Sequence, residues 1–142
     1  MRRARRSQRG AAALEFALVA PVLIMLLLGI VDFGMLMNAQ SLVANAVREG
    51  ARTGALGGNS FQTKAAVTSA ISTMPGAGEA GTVVTITCKS IAGNACSLDD
   101  STPDTGGVVT VKLTYVHTWL SPVVLGLDPK ITLQGQSQMR IE

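Results

Sequence analysis

The chain has 142 residues, room for one domain plus an anchor but not for two full domains. Its charged fraction of 15% is well under the roughly 25% of soluble domains, while 47% is hydrophobic, and this apolar excess sits between Phe16 and Met37. The net charge of +3 comes from Arg2, Arg3, Arg5, Arg6 and Arg9; beyond Gly10 seven bases face nine acids, no basic stripe continues and aromatics are few, which argues against nucleic acid as a partner.

The first element is a basic leader over residues 1–10. It ends in Arg9-Gly10-Ala11-Ala12-Ala13-Leu14-Glu15-Phe16, where a glutamate stands at the mouth of an apolar run. An acidic side chain at the edge of hydrocarbon is costly unless it finds a partner. If the chain is cut after Gly10, an ammonium appears at Ala11 and Glu15 becomes the fifth residue of the product. In a bundle of such helices, Glu15 of one subunit can pair with the amine of another, neutralising both charges and setting the stagger.

The second element is a membrane helix, assigned to residues 11–37. Phe16 to Val31 carries no charge, Asp32 interrupts it, and Phe33 to Met37 resumes it. Crossing the hydrocarbon core takes about 20 apolar residues. The Leu, Ile, Val and Phe side chains of the uncharged run together favour insertion by about 5 kcal/mol, which outweighs one acid near the helix edge. Asp32 lies about 24 Å along the helix from Phe16, so its carboxylate is expected to reach the far interface. Pro21 is tolerable in such a helix, with one backbone donor lost. The arginines keep the leader in the cytoplasm and send the remainder outside. A cleaved secretory signal would have a shorter apolar region, of about 7–15 residues, and Met37-Asn38-Ala39 is a poor cleavage site for one.

A helical stem follows over residues 38–57. Ala39, Leu42, Ala46, Gly50 and Gly54 recur at spacings of three and four, which makes one helix face. Its small residues permit close approach of another backbone, either a neighbouring subunit or, as preferred here, the protein's own sheet. Arg48, Glu49 and Arg52 form a charged strip that is expected to be solvated, with pairing to acidic residues on a neighbour as the alternative.

The last element is a small domain over residues 58–142. Gly57-Gly58 breaks the stem, and Asn59 with Gln62 three residues later fits a helix start. Phe61, Ala65, Ala70, Ile71 and Met74 suggest a short amphipathic helix, closed by Pro75-Gly76. Thr82–Cys88, Val108–Thr118 and Ile131–Ile141 alternate like strands, with loops expected over Leu98–Gly107 and residues 119–130. The fold class is therefore α+β: a long N-terminal helix, a short second helix and an antiparallel sheet of about three strands.

Cys88 and Cys96 are the only cysteines and fall on the exported side, where an oxidising compartment favours pairing. Two free thiols remain the alternative. A metal site fails on ligand count, since His117 is the only histidine. No phosphate loop or zincin helix occurs, and Asp99, Asp100 and Asp104 lack the calcium-loop pattern. The expectation is a protein without catalytic residues, metal or cofactor.

The junction Gly10-Ala11 with Glu15 and Phe16 resembles the processing site of type IVb prepilins of the Tad (Flp) pilus system. Gly29-Ile30-Val31-Asp32-Phe33-Gly34 and Arg48-Glu49-Gly50-Ala51-Arg52 are similar to the motifs of TadE-type pseudopilins. The resemblance covers about residues 9 to 55. It implies a pilin-like fold, cleavage after Gly10 by a prepilin peptidase, and Glu15 as the recognition and assembly glutamate. It also implies other pilin subunits, the inner-membrane assembly machinery and the lipid bilayer as partners, with no nucleic acid. The expected location is the bacterial cytoplasmic membrane, crossed once. The competing expectation is an uncleaved single-pass protein whose exported domain binds a ligand.

Overall fold

A computed structural model describes residues 4–78, 81–99, 105–119 and 130–142, with side chains from residue 10 onwards. Helix α1 runs unbroken from Ala4 to Ala55 with Pro21 inside it. Helix α2 spans Ser60–Ala70, and the strands are β1 (Val83–Lys89), β2 (Ala95–Cys96), β3 (Val108–Thr118) and β4 (Lys130–Arg140). The leader side chains before Gly10, half of the Leu98–Gly107 loop and nearly all of the 119–130 connection lie outside the described residues.

The chain divides into two compact units. The first holds α1 up to Met35 together with Trp119; the second runs from Leu36 to Thr118 and from Lys130 to Glu142.

In the first unit the apolar side chains from Leu14 to Phe33 are mostly exposed, among them Phe16, Leu18, Ile24 and Ile30. Uncovered apolar surface of this extent favours a lipid or protein surround over water. Its length and hydropathy suffice to cross a membrane.

In the second unit all strand pairs are antiparallel, in the order β2-β1-β3-β4. The α+β expectation holds, with four strands rather than about three. The extra strand, β2, has two residues and is too short to carry an alternation pattern. Strand β3 sits centrally, and Val109, Val111, Leu113, Tyr115 and His117 alternate onto its buried face. Across the ladders Leu113 faces Val84 on β1 and Gly135 on β4, so the inner face is continuous over three strands.

The helical stem packs on that face through Ala39, Val43, Ala46, Val47, Ala51 and Ala55, all buried. Gly50 and Gly54 lie in the same stripe. A Cβ at Gly54 would meet Val109 at 3.1 Å and Thr63 Oγ1 at 3.2 Å, and one at Gly135 would meet Val43 at 2.7 Å. The small-residue face is therefore used within the protein, against its own sheet and α2, and is not free for a neighbouring subunit.

The Asn59 cap forms as expected. Its side chain accepts from the Gln62 amide at 2.8 Å, while Gln62 Oε1 accepts from the Asn59 amide at 3.1 Å. The buried face of α2 differs from expectation. Thr63 and Val67 line it and Ile71 and Met74 extend it, whereas Phe61 is 79% exposed and Ala65 and Ala70 are also exposed. A run of 63, 67 and 71 repeats every four residues, and the helix turned that stripe inward because Val67 meets Gly50, where no side chain competes.

Candidate functional site

Gly10, Ala11 and Glu15 all lie on α1, are exposed, and Gly10 has open space around its α-carbon. The Gly10–Ala11 bond is helical here. Ala11 and Glu15 are one turn apart, a rise of about 6 Å, and so occupy the same helix face. If α1 began at Ala11, Glu15 would fall near its first turn, where the helix dipole favours a negative charge.

The Gly29–Gly34 motif places two open positions and one closed one. Added Cβ atoms at Gly29 and Gly34 would meet nothing within 4 Å, and Phe33 is 58% exposed. Asp32 is fully buried and engaged in a polar interaction. A charge beside hydrocarbon is held more cheaply when protein covers and partners it than when lipid does.

The stem motif splits by role. Gly50 is buried at the contact with Val67, while Arg48, Glu49 and Arg52 face solvent. Glu49 and Arg52 approach to 3.9 Å with both side chains more than half exposed, an ion pair of small energetic weight. The strip is solvated, as its pattern suggested.

Cys88 and Cys96 are bridged, with α-carbons 5.0 Å apart. They face each other directly in the β1–β2 ladder, beside Lys89 and Ala95. The turn between these strands is closed by the Ser90 amide donating to Asn94 O at 2.8 Å and the Gly93 amide to Ser90 O at 2.9 Å. The disulfide thus ties a two-residue edge strand to β1, with Cys88 itself buried on the inner face.

His117 is buried at the end of the inner face of β3, its ring centroid 6.3 Å from that of Tyr115. The Tyr115 hydroxyl donates to the Pro75 carbonyl, pinning the turn after α2 to the central strand. Among the described residues no group of three His, Cys, Asp or Glu side chains is placed to hold a metal ion.

One positioned acid went unnoticed in the sequence. Asp99 Oδ1 accepts from the Ser60 amide at 2.9 Å, placing a carboxylate at the N-terminus of α2. Ser60 follows a capping residue, which announces open amides, but nothing local says that a residue 39 positions later supplies the acceptor.

No curated protein and no solved structure matches the chain. Residues 10–52 match the family model described as TadE-like protein, over the segment that holds the processing-type junction, the Gly29–Gly34 motif and the stem motif. With one apolar N-terminal helix long enough to span a bilayer, this TadE-like match suggests a membrane-anchored, pilus-associated protein.

Proposed function

We propose that this protein is a minor pilin or pseudopilin, a structural subunit that takes part in assembling a Tad-type (type IVb) pilus and not an enzyme. The observation that carries the reading is Glu15. It stands exposed on α1 between a basic leader ending in Gly10 and an uncovered apolar helix, within the segment that matches the TadE-like family. A prepilin peptidase would cut after Gly10. The new Ala11 amine and the Glu15 carboxylate of neighbouring subunits would then pair within a bundle of apolar helices, with Gly29, Asp32, Phe33 and Gly34 along the membrane part.

The leader would stay on the cytoplasmic side of the inner membrane, with residues 38–57 as stem and 58–142 as the exported domain. The partners would be the peptidase, other pilin subunits, the assembly machinery and the bilayer. The small-residue stripe of the stem is already occupied by the protein's own sheet. Contacts between subunits would therefore fall on the exposed part of α1 and on the outside of the domain.

The N-terminal mass after co-expression with a matching peptidase tests this reading. A product beginning at Ala11 is expected. An unchanged full-length mass, or a cut near Ala39, would instead favour the uncleaved, ligand-binding alternative or a secretory signal.

A further inference from the structure

The sheet of the second unit has two faces, and among the described residues only the inner one is covered, by α1 and α2. On the outer face the register aligns Thr85, Lys112 and Gln136 in one cross-strand row, and Thr87, Thr110 and Gln138 in the next. The row beyond holds Lys89 and Arg140 on either side of Val108. Five of the first six side chains are exposed and Thr110 is half-buried. Lys89, Lys112 and Arg140 are exposed as well.

Every charged residue on the outward positions of β1, β3 and β4 is a cation; these positions contain no Asp, Glu or aromatic residue. Glu142 lies past the end of β4, where its amide donates to Ala55 O. Lys130 stands at the opposite end of β4. The result is a largely polar face with cations spread along it. With strands about 4.8 Å apart and a rise of about 3.3 Å per residue, Lys89 and Arg140 are about 10 Å apart and Lys112 lies about 13 Å further along the central strand.

We infer that the outer face of the sheet is a docking surface for an extended anionic polysaccharide, a polyuronate-like chain. Three features support this occupant. Among the described strand positions the cations have no carboxylates interspersed, a pattern whose field attracts polyanions. Thr hydroxyls and Gln amides between them both donate and accept hydrogen bonds, matching the hydroxyl groups of a sugar chain. A face without aromatic rings lacks the stacking platform on which single-stranded nucleic acids depend. The inference stands on the sheet alone and does not require the pilus reading.

The test is binding of full-length protein in neutral-detergent micelles to immobilised polygalacturonate, with neutral dextran as the reference. Polygalacturonate is expected to bind and dextran not. Replacing Lys89 and Lys112 together by Gln should weaken binding about tenfold, the scale of losing two exposed charge contacts. Lys112→Arg, which keeps the charge, should bind as the parent does. Lys64→Glu changes the net charge by the same amount on α2, away from the face, and should leave binding unchanged. Far-UV circular dichroism and the intact disulfide confirm that each variant is folded. Equal binding to dextran overturns the inference. So does full binding by the double Gln variant, which would assign the affinity to the N-terminal arginines. Tighter binding of an oligodeoxythymidine or of anionic phospholipid vesicles through the same two lysines overturns it in favour of that partner.

Discussion

The α-carbon of Gly50 lies so close to a methyl of Val67 that a Cβ on residue 50 would overlap Val67 Cγ2 and stand 3.4 Å from Val111 Cγ1. This one missing side chain lets α1, α2 and the central strand meet at a single point. It also ties a residue of the TadE-like segment to the core of the domain beyond it.

Gly50→Ala is accordingly expected to destabilise the folded domain by about 1–3 kcal/mol, the scale of overpacking in a dense core. Alanine is intrinsically the better helix former by about 1 kcal/mol, so the sign of the effect reports the tertiary contact and not propensity. Gly34→Ala, with open space around it, should show no such loss. Thermal unfolding of the two variants in detergent makes the comparison. A midpoint for Gly50→Ala at or above the parent's would mean that α2 moves aside freely.

Cys96→Ser should remove roughly 2.5 kcal/mol of stability, the chain-entropy value for a loop of about nine residues. The change belongs at Cys96 because Cys88 is buried among core residues and would be missed for its packing as well. Alkylation of native protein without reductant should label neither cysteine. Two labelled thiols in fresh envelope extracts would contradict the bridge.

Asn59→Ala removes one half of the reciprocal cap on α2 and should cost about 1 kcal/mol. The Asp99 carboxylate still accepts from the Ser60 amide, so the loss should be partial. A double substitution of Asn59 and Asp99 by Ala should exceed either single change. Amide hydrogen exchange over residues 60–63 reads it locally; protection unaltered in the double variant would show that the cap contributes nothing.

Glu15→Gln keeps shape and hydrogen-bonding capacity but removes the charge proposed to pair with a neighbour's Ala11 amine. An unpaired ammonium in an apolar bundle costs about 3–5 kcal/mol, so incorporation into pili should fall sharply while cleavage after Gly10 continues. Glu15→Asp should lie between, with the charge on a shorter arm. The readout is the ratio of processed to pilus-associated protein in the native host. Normal incorporation of the Gln variant would leave Glu15 an ordinary interfacial acid.

Local chemistry explains which parts of the fold could be read from the sequence. The apolar run of α1, the Asn59–Gln62 cap and the alternation of β3 depend on near neighbours in the chain, through helix geometry, one capping turn and the two-residue period of a strand. The same holds for the N-terminal motifs, which sit on one continuous helix and need no tertiary contact to be recognised.

Only the tertiary structure decided which helix faces turn inward and what each glycine is for. Gly29, Gly34 and Gly50 look alike in sequence, yet the first two are open and the third is closed by Val67, a residue on another helix. Phe61 was expected in the core and is exposed, whereas Thr63 takes its place, because the stripe on α2 was chosen by the shape of α1 and not by hydropathy. The Asp99–Ser60 hydrogen bond follows the same rule. Periodicity fixes which residues share a face, but the packing partner, distant in the chain, fixes which face is buried and which polar group is satisfied there.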